Sequence, residues 1–154
     1  MLSIFGGKIT TYRRLSMQAM EKLQAFLPEK SRARADWSGS SAHPGGDFPV
    51  TWFDALVARL AADYAFLPQA QVRRLARAYG TRARMVLGKA RAAADLGQDF
   101  GAGLTEAEVL YLMHQEWALE AADVVWRRSK LGLRLSAAQI TALGDFMAGQ
   151  LALS

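Results

Sequence analysis

Residues 105–143, TEAEVLYLMHQEWALEAADVVWRRSKLGLRLSAAQITAL, decide the fold class of this chain. Their apolar side chains recur every three or four positions, which is the spacing of one face of an α-helix. Two capping-box patterns precede such runs, Thr105 with Glu108 and Ser136 with Gln139. The pattern predicts three helices in succession. Their apolar positions are Val109, Leu112, Met113 and Trp117, then Ala122, Val125 and Trp126, then Ile140 and Leu143.

Three further helices are predicted upstream of this stretch. Thr51 with Asp54 forms another capping pattern, and Pro68 occupies a favoured place for the first turn of a helix. Gly80 suits the C-terminal cap of the helix that follows Pro68, and Thr81 opens the next helix. With the three helices above, we expect an all-α fold, a helical bundle of about six helices.

The amino-terminal residues show a different order of elements. Residues 2–5, LSIF, are apolar and β-prone, and the Gly6-Gly7 turn follows them. A helix capped by Thr10 or Thr11 then runs to the proline at position 28. Because a lone strand is unstable in water and no other strand is predicted, we expect that this strand–turn–helix is the remnant of a larger domain.

Composition along the chain predicts three regions. Residues 1–27 are the strand–turn–helix, read as the end of that larger domain. Residues 28–50 are rich in Pro, Gly, Ser and charge, which is typical of a linker or surface loop. Residues 51–154 form the helical domain.

Composition also excludes several kinds of site. The 154 residues include no cysteine, so disulfides, iron–sulfur clusters and thiolate zinc sites are excluded. The only two histidines, His43 and His114, lie far apart in sequence, which argues against a transition-metal site. No apolar run reaches the roughly 18 residues of a membrane-spanning helix. The first residues lack the pattern of a signal peptide, and a reducing, cytoplasmic compartment is expected.

Charge is arranged in blocks. Residues 1–34 hold seven basic and two acidic residues, and the rest of the chain holds twelve of each sign. Residues 68–94 contain seven basic residues and no acidic one, whereas residues 95–126 contain seven acidic residues and no basic one. The simplest prediction is that the two blocks pack side by side with complementary rims. The alternative is a helical nucleic-acid-binding domain that uses 68–94, but the adjacent acidic block argues against nucleic acid as a partner.

The segment GGKITTYR, residues 6–13, carries the most chemical information. Its glycines let the backbone approach a ligand, Lys8 supplies a positive charge, and the following helix points its N-terminus at the turn. Such a site suits an anionic oxygen, and the N1–C2=O edge of a reduced flavin is one candidate. A phosphate loop requires Ser or Thr after the lysine, where Ile9 stands, so nucleotide hydrolysis is not favoured. A plain strand-to-helix turn is the remaining alternative.

Aromatic residues and histidines offer weaker hypotheses. His114, near Glu116, is a conceivable general base, but a solvent-facing histidine is the simpler expectation. His43 has no partner predicted from the sequence. Two alternatives are predicted for four aromatic side chains: an aromatic box or, as their helical spacing favours, positions in the core. These side chains are Tyr79, Tyr111, Trp117 and Trp126.

Four segments taken in order resemble one family, the FAD-dependent glycerol-3-phosphate dehydrogenases. FGGKITTYRRL at 5–15 resembles the end of their flavin domain, and PGGDF at 44–48 resembles the start of their carboxy-terminal helical domain. YGTRA at 79–83 and the segment 106–135 resemble the most recognisable part of that domain. The order and spacing of these segments fit the family from residue 2 to about residue 147.

The resemblance implies a reaction and a cofactor. The family enzyme oxidises sn-glycerol 3-phosphate to dihydroxyacetone phosphate, with FAD accepting the hydride and a membrane quinone receiving the electrons. Lys8 is then implied to be the charged group near the flavin O2 or the substrate, and Arg13 to support the turn or face the substrate phosphate. The residues implied to lie over the flavin, near its pyrimidine edge, are Gly6, Gly7, Lys8, Ile9 and Thr10.

The resemblance also implies what this chain does not contain. No G-x-G-x-x-G follows a strand, and the family's substrate-binding histidine and arginine lie upstream of this sequence. We therefore expect the isolated chain to bind no FAD, to be inactive, and to serve as a structural or interaction domain. Its implied partners are the missing amino-terminal flavin domain and, in the parent enzyme, glycerol 3-phosphate and quinone; a homo-oligomer is left open. The parent is implied to be peripheral on the cytoplasmic side of the inner membrane.

Overall fold

The computed structural model describes residues 2–29 and 37–152, and its regular structure is helical. Within those residues the only β-pairing is one isolated antiparallel bridge between Asp99 and Thr105. The prediction of an all-α fold is confirmed. The six α-helices are α1 (Tyr12–Leu23), α2 (Phe53–Asp63), α3 (Gln69–Tyr79), α4 (Ala83–Leu87), α5 (Glu106–Glu116) and α6 (Ala137–Ala152).

The chain divides into two compact units, one ending at Ala42 and the other beginning at His43. This division falls inside the predicted loop 28–50, of which residues 30–36 lie outside the described part of the chain. The first unit contains α1, and the second contains α2 to α6.

In the first unit, the 3₁₀ turn Ile9–Thr11 leads into α1, and a second 3₁₀ turn, Gln24–Phe26, follows it. The prediction of a strand at residues 2–5 is wrong, because these residues form no strand. A strand needs a paired neighbour to be stable, and the described residues of this unit provide none. None of the described residues of this unit is buried.

In the second unit, α2 packs against α3 through their apolar stripes. The stripe of α2 is buried at Leu56, Val57 and Leu60, and that of α3 at Val72, Leu75, Ala76 and Tyr79. The predicted limits of α3 are confirmed: the helix follows Pro68 and ends before Gly80. Burying these stripes is what stabilises two helices that are short by themselves.

A close backbone crossing fixes the end of α3. The amide of Thr81 donates a hydrogen bond to the carbonyl oxygen of Gly45 at 3.0 Å. Gly80 has φ of 56°, and a Cβ placed on it would collide with that same carbonyl. Gly45 and Gly80 are therefore both required for the loop at 44–48 to lie on the helix end.

The fourth predicted helix is shorter in the structure than the sequence suggested. It begins with the 3₁₀ turn Gly80–Arg82, continues as α4, and ends at Leu87 because Gly88 turns the backbone to φ of 55°. The sequence places a further apolar residue beyond this point, at Ala90, but the helix does not reach it. The glycine-rich segment 95–103, which begins within the 3₁₀ turn Ala93–Leu96, then forms a loop.

Of the three predicted capping pairs, one forms. The Ser136 amide donates to Oε1 of Gln139 at 2.9 Å, and the Gln139 amide donates to the Ser136 hydroxyl at 3.3 Å. The predictions for Thr51 and Thr105 are wrong, because neither side chain caps a helix. Their acidic partners bind arginines instead, as described below.

The short helix predicted at about 119–129 is a π-helix in the structure, Asp123–Arg128. Ser129 ends it by donating both its amide, at 3.1 Å, and its hydroxyl, at 2.6 Å, to the carbonyl of Val124. The 3₁₀ turn Leu131–Leu133 then leads towards α6, which buries Leu143 and Met147. The apolar core of the second unit runs from α2 to α6, and the Val109 and Leu112 side chains of α5 are fully buried in it.

Candidate functional site

The glycine turn, residues 6–10, has an unusual backbone. Gly6 has φ of 80° and Gly7 has φ of 144°, so both lie where a side chain is disfavoured. Lys8 is extended, and its carbonyl accepts the Thr11 amide at 3.0 Å and the Thr11 hydroxyl at 3.2 Å. The predicted side-chain cap from Thr10 or Thr11 is absent at the start of this helical segment. These two hydrogen bonds hold the backbone of Lys8 in place at the end of the turn.

The glycine turn is open on the described surface of the first unit. Phe5 is 94% exposed and Ile9 is 88% exposed, and Lys8 and Thr10 are exposed as well. A Cβ on Gly6 would meet no heavy atom within 4 Å, so a ligand can reach this backbone. The turn therefore fits one wall of a flavin site: it offers bare backbone and one ammonium group, and the described residues of its unit do not enclose it.

Arg13 has contacts of its own in the first unit. Its Nη1 lies 3.5 Å from the sulfur of Met17, and a Cβ on Gly39 would be 2.9 Å from the same nitrogen. The guanidinium group therefore lies against the backbone around Gly39, which is one way in which it braces this unit.

The second unit contains a buried polar cluster that the sequence analysis did not find. Glu108 is only 1% exposed, and both of its carboxylate oxygens accept hydrogen bonds from Arg74, at 2.8 and 2.6 Å. The Tyr79 hydroxyl also donates to this carboxylate at 2.7 Å. Arg74 Nη2 donates further to the carbonyl of Gly103 at 2.7 Å, and Gln71 donates to that carbonyl at 3.0 Å. The cluster thus joins α3, α5 and the glycine-rich loop.

Burial and charge act together on this cluster. Burial raises the pKa of the Tyr79 hydroxyl, and the negative charge of Glu108 raises it further. Burial lowers the pKa of Arg74, but its hydrogen bond to Glu108 and the charge of that carboxylate outweigh burial, so the pKa is raised overall. Tyr79 therefore stays neutral and Arg74 stays charged, as a structural ion pair requires.

The charge blocks do not meet along complementary rims as predicted. Arg74 with Glu108 is the only ion pair between the two blocks among the described residues, and it is buried. Other basic side chains pair with the acidic residues of α2: Arg73 contacts Asp54 at 3.0 Å, and Arg84 contacts Asp63. α3, one helix of the basic block, packs on α2, which brings Arg73 close to a carboxylate of α2.

These pairs also weaken the nucleic-acid hypothesis. Arg74 is turned inward, and Arg73 and Arg84 are already paired. The guanidinium of Arg77 lies 5.9 Å from the ring centre of Phe53, as in a cation–π contact. Four of the seven basic side chains of the block are therefore engaged within the protein, which argues against a continuous cationic face for a phosphate backbone.

The histidines and aromatic residues have no shared site. His43 and His114 are both exposed and belong to separate parts of the second unit. Tyr79 and Tyr111 are core residues with ring centres 5.4 Å apart, edge to face. Trp117 and Trp126 are largely exposed, so the aromatic box is not formed and the core assignment holds for the two tyrosines alone.

The described residues offer neither a metal site nor a membrane-spanning helix. No group of three or more His, Cys, Asp or Glu side chains in them is placed to hold a metal ion. None of the helices in residues 2–29 and 37–152 is both long enough and apolar enough to cross a membrane.

A shallow groove of about 500 Å³ lies beside the glycine crossing in the second unit. The loop at 44–48 and the end of α3 form its walls, with Phe48 and Phe53 as the large apolar side chains and Arg77 at its edge. Its lining is mostly apolar and contains no cluster of acids, bases and nucleophiles that would support catalysis.

Comparison with known proteins gives a consistent result. The family model described as the C-terminal domain of alpha-glycerophosphate oxidase matches residues 40–154. The chain is 44% identical over 147 residues to a glycerol-3-phosphate dehydrogenase of Pseudomonas aeruginosa and 40% identical over 147 residues to the aerobic glycerol-3-phosphate dehydrogenase of Escherichia coli. It is 35% identical over 146 residues to the D-erythritol 1-phosphate dehydrogenase of Brucella abortus.

The matches cover most of this chain but only a part of each relative. They cover 95–96% of this chain but 28% of each of the three relatives. The chain therefore spans less than a third of the length of these relatives.

Proposed function

Because this chain belongs to the family of C-terminal domains of alpha-glycerophosphate oxidase, we propose that it serves as the carboxy-terminal part of a glycerol-3-phosphate dehydrogenase. The observation that carries the proposal is the 44% identity over 96% of the chain to an enzyme of that name. The family is FAD-dependent. The parent enzyme would oxidise sn-glycerol 3-phosphate to dihydroxyacetone phosphate and deliver the electrons to quinone.

The glycine turn is the part of this chain that we assign to the flavin site. Gly6 and Gly7 would bring bare backbone to the ring edge, and Ile9 and Thr10 would flank it. Bound FAD supplies the hydride acceptor. Lys8 would hold its ammonium group near the flavin O2 or the substrate, where a fixed positive charge favours developing negative charge. Its extended backbone and exposed side chain support this role.

The helical body would have a structural or interaction role in the same enzyme. Its buried polar cluster joins two helices to a loop through an ion pair and hydrogen bonds, which is the arrangement of a structural network. We expect the isolated chain to bind no FAD and to show no dehydrogenase activity, because one exposed turn gives a cofactor too few contacts. The parent would act in the cytoplasm, peripheral on the inner membrane, with the flavin domain as the partner of this chain.

The experiment that tests the proposal uses a longer polypeptide in which the flavin-binding part of the Pseudomonas aeruginosa relative precedes this chain. Lys8→Met is compared with Lys22→Met, a matched control in the last turn of α1. For Lys8→Met we expect a loss of flavin content or a fall of about tenfold or more in kcat/KM for glycerol 3-phosphate, since tenfold corresponds to about 1.4 kcal/mol.

The control variant is expected to keep both its flavin and its activity. Full activity with normal flavin in Lys8→Met would reduce residues 6–10 to a plain turn. Absence of glycerol 3-phosphate oxidation in the unchanged long polypeptide, despite bound FAD, would overturn the proposed substrate, and D-erythritol 1-phosphate would be the next compound to assay.

A further inference from the structure

The glycine turn has one open side and one side that packs on α1. A Cβ on Gly6 would meet no heavy atom within 4 Å, whereas a Cβ on Gly7 would lie 3.2 Å from Cδ2 of Leu15. Leu15 is half-buried and belongs to the first turn of α1. The helix therefore supports the turn at Gly7 and leaves the backbone of Gly6 free for a ligand.

Thr11 provides a second support, directly at Lys8. Its amide donates to the carbonyl of Lys8 at 3.0 Å, and its hydroxyl donates to the same oxygen at 3.2 Å. The amide hydrogen bond belongs to the 3₁₀ turn and needs no particular side chain, as long as the residue is not proline. The hydroxyl hydrogen bond does need one, because serine and threonine are the residues with a hydroxyl short enough to reach a carbonyl three positions back.

The two hydrogen bonds determine the direction in which the Lys8 side chain leaves the backbone. The Lys8 carbonyl lies in the peptide plane that joins Lys8 to Ile9, so holding this oxygen holds ψ of Lys8 at 142°. That torsion sets the direction of the Cα–Cβ bond relative to the helix. Lys8 is exposed, and its ammonium group stands on a flexible four-carbon stem, so its average position depends on where the backbone points it.

We propose that Thr11 is a positioning residue for the flavin reaction and that its hydroxyl acts through Lys8. The inference rests on the proposed function, in which the Lys8 ammonium group favours developing negative charge near the flavin O2 or the substrate. A charge that is already in place stabilises the transition state without being reordered during the reaction. Thr11 would touch neither flavin nor substrate, and it would raise the fraction of molecules in which Lys8 points the right way.

The ordinary role of a threonine at this place is to cap the helix, and Thr11 does not do so. It forms no side-chain cap on α1, and its hydroxyl donates backwards to the glycine turn instead of accepting an amide of the helix. Ser16 makes the same kind of hydrogen bond inside α1, where its hydroxyl donates to the carbonyl of Tyr12 at 2.9 Å. That bond ends on no residue of the glycine turn, so Ser16 is a matched control.

The first measurement uses the 154-residue chain without flavin. Thr11→Val removes the hydroxyl and keeps the shape of the side chain, Thr11→Ser keeps the hydroxyl, and Ser16→Ala removes the comparable hydrogen bond within α1. In Thr11→Val, the backbone order parameters from nitrogen-15 relaxation should fall by about 0.1–0.2 at Lys8 and Ile9, where a rigid backbone gives about 0.85. In the other two variants they should stay the same. Unchanged order parameters in Thr11→Val would overturn the inference without reference to any enzyme.

The second measurement uses the longer polypeptide with bound FAD. The net value of a typical hydrogen bond corresponds to about two- to tenfold in an equilibrium constant, so Thr11→Val should lower kcat for glycerol 3-phosphate by about that factor. KM should change less than about twofold, because the interaction is used in the transition state. Thr11→Ser should restore kcat, and Ser16→Ala should leave it unchanged. A Thr11→Ser variant as slow as Thr11→Val would contradict a role for the hydroxyl.

A double variant shows whether Thr11 acts through Lys8. In Lys8→Met the ammonium group is absent, so the addition of Thr11→Val should lower kcat by less than about twofold further. If the effects of the two substitutions multiply instead, Thr11 acts by another route and the inference is wrong.

The outcomes separate this inference from the proposed function. If Lys8→Met lowers kcat/KM and Thr11→Val does not, the inference fails and the proposed function stands. If Lys8→Met has no effect, the role assigned to Lys8 fails and this inference fails with it. A change in the order parameters would then show that Thr11 stabilises the turn and does nothing for the reaction.

Discussion

The buried charge of Glu108 gives the sharpest test of what stabilises the helical body. Glu108→Gln keeps the size of the side chain but leaves Arg74, whose side chain is only 20% exposed, without its counter-charge. Removing one partner of a buried ion pair costs about 3–5 kcal/mol. Tyr79 can still donate to the new amide oxygen, and Arg74 keeps its hydrogen bond to Gly103. We therefore expect a loss of about 2–4 kcal/mol in the free energy of unfolding.

Urea and thermal unfolding followed by circular dichroism would measure this loss. For a domain of this size, 1 kcal/mol corresponds to roughly 2–4 °C in Tm, so a fall of about 5–15 °C is expected. Glu120→Gln is the matched control, because Glu120 also pairs with an arginine, Arg127 at 2.8 Å, but is 63% exposed. Such an exposed ion pair contributes at most about 1 kcal/mol to the free energy of unfolding.

A double variant separates the uncompensated charge from simple loss of packing. Arg74→Met combined with Glu108→Gln removes both charges and keeps an acceptor for Tyr79. It should recover at least about 1 kcal/mol of the loss caused by Glu108→Gln alone. Equal stability of the Glu108→Gln and Glu120→Gln variants would refute the reasoning, since burial would then make no difference to the value of the ion pair.

The remaining predictions concern the close backbone crossing at Gly45 and Gly80 and the loss of stability at low pH. Gly80→Ala and Gly88→Ala impose the same backbone strain, with φ of 56° and 55°, but only the first places a Cβ against the carbonyl of Gly45. In urea unfolding, Gly80→Ala should cost about 2 kcal/mol more than Gly88→Ala, and equal costs would contradict the close crossing. The hydrogen bond from the Leu119 amide is the main reason why the pKa of Asp123 is lowered from 3.8 to about 2, so the contribution of this carboxylate to stability is complete above pH of about 4 and is lost as pH falls towards about 2. Asp123→Asn should make the free energy of unfolding depend less on pH across that range. An unchanged pH dependence would show that other groups cause the loss of stability in acid.

Local chemistry explains why much of the fold could be predicted from the sequence. The limits of α3 follow from Pro68, which cannot donate an amide hydrogen bond, and from Gly80, which accepts a conformation that other residues avoid. The cap of α6 depends on Ser136 and Gln139, two residues three positions apart. Each of these signals needs only its neighbours along the chain, so the sequence alone contains it.

The two wrong capping predictions share one physical cause, which is competition from residues distant in sequence. Thr105 with Glu108 has the same pattern as Ser136 with Gln139, yet Glu108 binds Arg74, 34 positions away, and leaves the helix end uncapped. Asp54 likewise binds Arg73 instead of completing a cap with Thr51. For Glu108, a buried pairing with a full opposite charge outweighs the roughly 1 kcal/mol of a cap, whereas the pair between Asp54 and Arg73 is exposed.

The glycine turn shows the same limit for the candidate site. Its residue types and order indicated a place where backbone can meet an anionic ligand, and the positive φ of Gly6 and Gly7 agrees with that expectation. Which atoms would complete such a site depends on contacts that the described residues of this unit do not make. The role of Lys8 therefore stays a proposal, whereas the helical fold around α5 could be derived from periodicity.

The distribution of burial and charge suggests how the two units divide their tasks. The first unit has no buried residue in its described part and contains the basic region 1–34, whereas the second is packed around Glu108 and holds twelve basic and eleven acidic residues. Changes in the packed unit should alter stability, and changes at Lys8 should alter flavin chemistry with little effect on unfolding of the helical body. If Glu108→Gln in the longer enzyme lowered kcat/KM while leaving Tm unchanged, this division would fail, because the buried cluster would then act on the reaction itself and not on the fold.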